Sequence, residues 1–229
     1  MTKKLLQISL LAFALLAIKP DVFAQGVSMS FIIPKNGYFS APVSPLSVRG
    51  LGYKWGAVGF ATGGSLYNMP GLPLSDLPFE SDKPLVGPFW SVLVPLQLTL
   101  GIEGDFMSFQ VLGGGFGMWH LSPRLNYGNM DRAIANYEGW DVANADLDFK
   151  NKLGYGWMAG VEMRFHVNRQ YSLTMEVEYL SGSSALPIRG EYTGGSTGGT
   201  LETKNVDYQN SGILLEGLEI SLGVVFHGR

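Results

Sequence analysis

The chain has 229 residues, 16 basic and 19 acidic side chains, a formal charge of −3, and 31 glycines but no cysteine. A mildly acidic chain without a basic stripe argues against nucleic acid as a partner, and the missing cysteines exclude a disulfide framework, thiolate metal sites and a lipid-modified N-terminal cysteine. Only 15% of residues are charged while 12% are aromatic; a soluble surface is usually ~25–35% charged, so much of this exterior must face something other than water.

Lys3 and Lys4 precede an uncharged, mostly apolar run from Leu5 to Ile18 and a more polar stretch ending Val22-Phe23-Ala24. That is the order of a secretory signal peptide, and the apolar run is short of the roughly 20 residues that span a bilayer as a helix. Cleavage is expected after Ala24, making residues 1–24 a signal peptide and leaving Gln25 at the head of a single domain, 25–229. Losing Lys3, Lys4, Lys19 and Asp21 takes the formal charge from −3 to −5.

From there the hydrophobic period is 2 rather than 3.6. Val27, Met29, Phe31 and Ile33 alternate with Ser28 and Ser30. Residues 46–53 read as a strand of ambiguous parity, and 56–67 set Val58, Phe60 and Thr62 against Ala57, Gly59 and Ala61. From Trp90 to Ile102, Val92, Val94, Leu96, Leu98 and Leu100 alternate with Ser91, Leu93, Pro95, Gln97, Thr99 and Gly101. Residues 106–119 begin with Met107, Phe109 and Val111 and lose parity at Gly113-Gly114-Gly115, where a bulge is expected to restore it. The clearest stripe is Leu153, Tyr155, Trp157, Ala159, Val161, Met163, Phe165 and Val167. Tyr171, Leu173, Met175, Val177 and Tyr179 repeat it after Asn168-Arg169-Gln170, and Leu218, Ile220, Leu222, Val224 and Phe226 do so again.

The connections fall at 34–45, 54–55, 68–88, 103–105, 120–150, 168–170 and 182–211, alternately long and short. Eight strands so linked place all long loops at one rim and all tight turns, with both termini, at the other. This is the plan of an outer-membrane barrel: even strand count, short periplasmic turns, longer external loops. The expected fold is therefore all-β, a closed antiparallel up-and-down transmembrane barrel.

A soluble barrel would alternate too, with its apolar set inward. Three features favour lipid. The polar parity is rich in Gly, Ser and Thr, which suits an interior just wide enough to be filled by side chains. The stripes run long enough for a lipid-facing band ~25 Å tall. Aromatics sit near stripe ends, at Trp90, Tyr155, Trp157, Tyr171, Tyr179 and Phe226, where amphipathic rings meet the membrane interface. A helix over Pro84–Ile102 is ruled out by Pro84, Pro88 and Pro95, since each interior proline costs ~3 kcal/mol. Within a closed sheet Pro95 still removes one ladder bond, so a bulge or kink is expected there.

By architecture, over nearly all of 26–227, the sequence resembles the small eight-stranded outer-membrane proteins of Gram-negative bacteria, of the OmpA transmembrane-domain and OmpX type. Members of that group commonly end in an aromatic residue read by the barrel-insertion machinery; here Phe226 is followed by His227, Gly228 and Arg229. The resemblance implies an outer-membrane location, membrane lipids and the assembly machinery as partners. With no periplasmic domain expected after the barrel, a peptidoglycan-binding role is not.

The densest charge cluster flanks the 168–170 turn. If Val167 faces Tyr171, Glu162 lies opposite Glu176 and Arg164 opposite Thr174, with Glu178 further along. Facing carboxylates repel, and an arginine between them can bond both, so Glu162, Arg164, Glu176 and Glu178 are expected to form a structural network plugging the lumen rather than a proton relay or gate. His120, with Ser122 two residues on, lacks the nucleophile–base constellation of an enzyme and is expected to be solvated or interfacial. The 120–150 segment carries Asp131, Glu138, Asp141, Asp146 and Asp148 without EF-hand spacing and reads as a solvated loop, its Tyr127, Tyr137 and Trp140 as a contact surface. Gly194, Gly195, Gly198 and Gly199 suggest a flexible, unpaired hairpin. No catalytic, metal or cofactor residue is expected. The expected function is a surface scaffold without a wide aqueous channel, meeting an extracellular partner through 68–88, 120–150 and 182–211. Small-solute or gated transport stands second and a secreted soluble ligand-binding barrel third; a lipid-modifying enzyme ranks last.

Overall fold

The computed structural model describes residues 25–35 and 41–227. Ala24, and with it the expected cleavage point, lies outside the described residues. In chain order the elements are β1 (Gln25–Pro34), β2 (Val43–Trp55), β3 (Val58–Met69), β4 (Leu74–Ser75), β5 (Phe89–Glu103), β6 (Met107–Leu121), the helix α1 (Tyr127–Glu138), β7 (Val142–Phe149), β8 (Gly154–His166), β9 (Tyr171–Ala185), β10 (Ile188–Gly195), β11 (Glu202–Tyr208) and β12 (Gly212–Phe226). Eight strands, β1, β2, β3, β5, β6, β8, β9 and β12, pair antiparallel in that order. β12 returns to β1 along an unbroken register from Gln25↔Phe226 to Pro34↔Gly217, which closes the barrel. The links β2–β3, β5–β6 and β8–β9 are tight turns at one rim, and the long links carry β4, α1, β7, β10 and β11 at the other.

The apolar stripes face outward. On β5, Val94, Leu96, Leu98, Leu100 and Ile102 are exposed while Ser91, Leu93, Gln97 and Thr99 are buried. The same split runs along β1, β8, β9 and β12. This is a membrane-spanning surface, the inverse of a barrel that lines its own lumen with its stripes. On β6 the outward set runs from Met107 to Leu121; those fourteen steps of ~3.3 Å, tilted roughly 40°, cover about 35 Å, enough for a lipid-facing band ~25 Å tall.

Three local expectations meet the ladders differently. No bulge occurs at Gly113-Gly114-Gly115: β6 pairs without a register shift with β5 and with β8. Its parity is intact throughout, and it looked lost because Leu112, Phe116 and Met118 are apolar yet point inward, each at most 4% exposed. At Pro95 the β5–β6 ladder is continuous, but β3–β5 pairing skips from Thr62↔Leu96 to Ser65↔Leu93 with the register kept. The missing N–H falls on the β3 side, where Thr62 Oγ1 donates to the Pro95 carbonyl at 2.6 Å. β2 is ambiguous in sequence because it holds two register shifts against β3, between Val43 and Leu46 and between Val48 and Leu51. The second contains Gly50 at φ 73, a conformation that suits a residue without a side chain.

The interior is divided along its length. Toward the tight turns it is polar, with Arg49, Gln97, Thr99, Ser108, Gln110, Glu162 and Glu176 buried. Toward the long loops it is filled by Ile32, Tyr67, Met69, Leu93, Phe116, Met118, Met158 and Leu180, none above 4% exposed. The expectation of a polar, glycine-rich interior throughout is thus corrected for the outer half. There the side chains join those of the long links, including Leu85, Val86, Leu125, Met130, Ile134 and Ile188, in one apolar cluster. Phe116 is the wedge: its Cζ sits 2.6 Å from where a Cβ on Gly156 or on Gly182 would be. Phe116→Ala is expected to cost about 3–5 kcal/mol of stability, measured by urea unfolding in detergent micelles. Gly182→Val, which drives a side chain into that ring and into the Tyr155 carbonyl, is expected to yield no compact, heat-modifiable species on gels.

Candidate functional site

The tight-turn half of the lumen holds an ionic network. β8 and β9 pair with Glu162 opposite Glu176 and Arg164 opposite Thr174, and Glu178 lies opposite Glu219 of β12. Two like-charged pairs therefore face each other across the ladder, an arrangement that destabilises unless a cation intervenes. Arg49, from β2, reaches both members of the second pair and Glu176 of the first, and leaves Glu162 to Arg164. The Arg49 guanidinium lies 3.4 Å from Glu176 and 3.6 Å from Glu178 and is bonded to Glu219, with all four side chains below 10% exposed. Arg164 grips Glu162 alone, through Nε and through Nη2 at 3.2 Å. Gln97 donates to Glu178, Gln110 to Glu162 at 3.4 Å, and Ser221 to Glu219 at 3.2 Å. Of the four expected residues, Glu162, Glu176 and Glu178 are brought together as the register required, and Arg164 stands at their margin.

Sequence reasoning missed Arg49 and Glu219. Glu219 was visible as the polar member of the last stripe, on the inward parity. Arg49 was hidden by the two register shifts in β2, which prevent any assignment of inside and outside from alternation alone.

Beside this network a cavity of about 370 Å³ runs from Arg49 and Glu176 to Glu103, His166 and His227 at the tight-turn rim. Hydroxyls and imidazoles form a chain along that rim: Ser108 to His166 Nε2 at 2.7 Å, His166 Nδ1 to Ser172 at 2.8 Å, and Ser172 to His227 Nε2 at 2.7 Å. Lys54 and Glu103 pair at 2.6 Å.

His120 is not solvated. It is 1% exposed, its Nδ1 lies 2.7 Å from Ser91 Oγ, and its ring meets Phe89 edge-on at a centroid distance of 5.0 Å. Ser91 is its cross-strand partner, a relation no spacing in the chain reveals, whereas Ser122 is an exposed turn residue at φ 50. A serine hydroxyl beside an imidazole can act as a nucleophile, but Ser91 is fully buried. Among the described residues no group of three metal-ligating side chains converges.

The expected interface aromatics all lie on the outer wall. Trp90, Tyr155 and Trp157 stand toward the long-loop rim, and Tyr171 and Phe226 are direct partners at the tight-turn rim. Tyr179 rests against Trp157 at 5.6 Å and donates to Glu216, which pairs with Lys35 at 2.7 Å. That polar trio marks where the apolar belt ends on this side.

The long-loop rim is an ordered cap. The 120–150 segment is no solvated loop: it holds α1 and β7. The 190–200 hairpin is not unpaired: β10 bonds β11 on one side and β7 on the other in a three-stranded sheet. The Asn126 side chain caps α1 by accepting from the Asn129 N–H, and Gly139 ends the helix in a left-handed conformation. α1 presses Met130, Ala133 and Ile134 into the apolar cluster and covers the outer edge of β7. There Asp131 accepts from the Ala145 N–H and the Tyr127 hydroxyl donates to the Leu147 carbonyl, both at 2.9 Å. Tyr127 and Tyr137 are exposed at their outer faces, while Trp140 is half-buried. Glu138 ties helix to sheet, accepting from Lys204 and from Tyr192 at 2.5 Å each, with the Lys204 ammonium 5.2 Å above the Trp140 ring.

No protein-family model matches the chain, and no curated protein sequence matches it. Among solved structures it is similar to Ail, the attachment invasion locus protein of Yersinia pestis, at 10% identity and TM-score 0.39 over 90% of this chain and 97% of that one. It is similar to a major outer membrane protein from Thermus thermophilus, at 12% identity and TM-score 0.33 over 91% of this chain and all of that one. A third likeness is to the TodX monoaromatic hydrocarbon channel, at 11% identity and TM-score 0.25 over 91% and 71%.

Two consequences can be measured. Removing one partner from a buried ion pair costs about 3–5 kcal/mol, so Arg49→Ala is expected to destabilise by that amount in urea unfolding. Arg164→Ala, at the cavity wall and bonded to one carboxylate, is expected to cost about 1.5–3 kcal/mol. In the cap, the hydrogen bond from Lys204, then that from Tyr192, holds the Glu138 carboxyl below its ordinary pKa. A depressed folded-state pKa contributes stability that is complete above the unfolded value and lost as pH falls through the folded one. The Trp140 indole resonance is expected to hold through the ordinary glutamate range and shift only below it. Lys204→Met is expected to move that transition toward higher pH.

Proposed function

We propose that this chain is an outer-membrane protein of a Gram-negative bacterium, exported by residues 1–24, whose barrel anchors and displays a folded cap at the cell surface. The tight turns then face the periplasm and the cap faces outward. Membrane lipids cover the wall, and the barrel-assembly machinery is the partner during insertion. One observation carries the reading: the cap and the outer half of the lumen share a single apolar cluster. A wall of Ile32, Leu93, Phe116, Met118, Met158 and Leu180 supports a blind barrel, because a narrow lumen filled by apolar side chains stays dry and stops ions. The same roots hold α1 and the three-stranded sheet in one geometry, as suits a contact surface. That display supports the expected partner contact through 68–88, 120–150 and 182–211.

Planar-bilayer recording tests the blind lumen: neither the native protein nor Arg164→Ala is expected to carry current, and stepwise ion conductance in either would favour transport. Display is tested with Thr197→Cys, at the hairpin tip of a chain that has no cysteine of its own. A membrane-impermeant maleimide is expected to label it on intact cells; labelling only after lysis would invert the orientation.

A further inference from the structure

The two edges of the cap sheet are treated differently. Ala145 directs its N–H, and Leu147 its carbonyl, away from β10 to Asp131 and Tyr127 of α1. A strand residue points both backbone groups to the same side, and its neighbours point to the other. Asn144, Asp146 and Asp148 therefore bond Thr193, Glu191 and Arg189 of β10. The other β10 positions, Ile188, Gly190 and Tyr192, bond Tyr208, Val206 and Lys204 of β11. That leaves Thr203, Asn205 and Asp207 with both backbone groups aimed at the outer edge of β11. Among the described residues, no strand pairs there and no side chain bonds those groups.

Exposed edges are normally blunted by proline, a bulge, an outward lysine or a cover. β11 is seven residues long, has no proline and keeps an unshifted register with β10. Its lysine, Lys204, is turned back onto Glu138 and Trp140. One edge is thus closed by two dedicated side chains and the other is left able to accept a strand.

We propose that the β11 edge takes up an extended segment of a partner polypeptide as a fourth strand, and that this segment alternates basic and apolar residues. The proposal rests on the surface-display reading. The pattern follows from the two faces the segment would extend. On the solvent face, Thr203, Asn205 and Asp207 are backed by Glu191, Asp146 and Asp148, with Arg189 as the one cation among four carboxylates. On the opposite face its neighbours are Val206 and Tyr208, half-buried against Phe79 and the cap's apolar cluster, while the Lys204 charge is already satisfied. Main-chain bonds supply affinity and the alternating side chains supply specificity in such strand addition.

The test uses the full-length protein in nanodiscs and three nine-residue peptides, alternating lysine with valine, glutamate with valine, and lysine with valine but with proline at every third position. The lysine–valine peptide is expected to bind and to slow amide exchange at Thr203, Asn205 and Asp207. The glutamate peptide is expected to bind at least tenfold more weakly and the proline peptide not at all. Asn205→Pro removes an outward N–H without breaking the β10 ladder, so it is expected to keep heat-modifiable migration while weakening the lysine–valine peptide at least tenfold. Equal binding of all three peptides, binding unaffected by Asn205→Pro, or no binding overturns the proposal. Slow exchange at those three amides without peptide, together with a dimeric particle, also overturns it, because a second copy then fills the edge. Failure here, with the Thr197→Cys variant labelled on intact cells and no conductance, leaves the display reading standing. Conductance, or labelling of Thr197→Cys only after lysis, removes that reading itself.

Discussion

A sheet of eight strands that closes on itself leaves an interior only as wide as the side chains pointing into it, and that space must be filled at every level. Lipid outside supplies no hydrogen bonds, so closure from Gln25↔Phe226 to Pro34↔Gly217 is what makes the backbone tolerable in a membrane at all. Once closed, each inward position is a core position, whatever its polarity. The remaining features of the molecule are consequences of how those positions are occupied.

They are occupied in two chemistries. The outer half uses aromatic and thioether side chains with glycines opposite them, so that the Phe116 ring packs on the bare backbone of Gly156 and Gly182. The inner half uses carboxylates held by Arg49 and Arg164. Taken together, Glu162, Glu176, Glu178 and Glu219 outnumber the two guanidinium groups. Buried ion pairs are weak sources of net stability, since desolvation offsets most of the attraction, but losing one partner is severe. The network is therefore better understood as fixing the register of β2, β9 and β12 than as strengthening the barrel. The apolar half does the reverse: it ties the barrel to α1 and the cap sheet, joining the links 70–88, 122–153 and 186–211 in one apolar cluster.

The barrel itself was legible because lipid contact imposes a period of 2 over six to eight positions, and because long and short links alternate. The Glu162–Glu176 opposition was legible for a related reason: a short turn from Val167 to Tyr171 leaves little freedom of register. What could not be read shares one cause, a local pattern overridden by something distant. Arg49 sits between two register shifts. Leu112, Phe116 and Met118 are apolar on the inward side, so alternation vanished where the wall was regular. α1 and β7 lie in a polar stretch whose apolar residues are few, and they acquire their core from Leu85, Val86, Leu186 and Ile188 of other segments. The pairing of Ser91 with His120, and of β10 with β7, exists only across strands far apart in the chain.

The outward orientation of the stripes can be measured residue by residue, because a chain without cysteines accepts single spin labels cleanly. Labels at positions 96, 97, 98, 99 and 100 of β5, introduced singly as cysteines into protein reconstituted in lipid, report collision with oxygen, which concentrates in the bilayer. Oxygen accessibility is expected to alternate, high at 96, 98 and 100 and low at 97 and 99. A flat profile, or one with the phases exchanged, would contradict a barrel that turns its apolar side chains to lipid and its ionic groups inward.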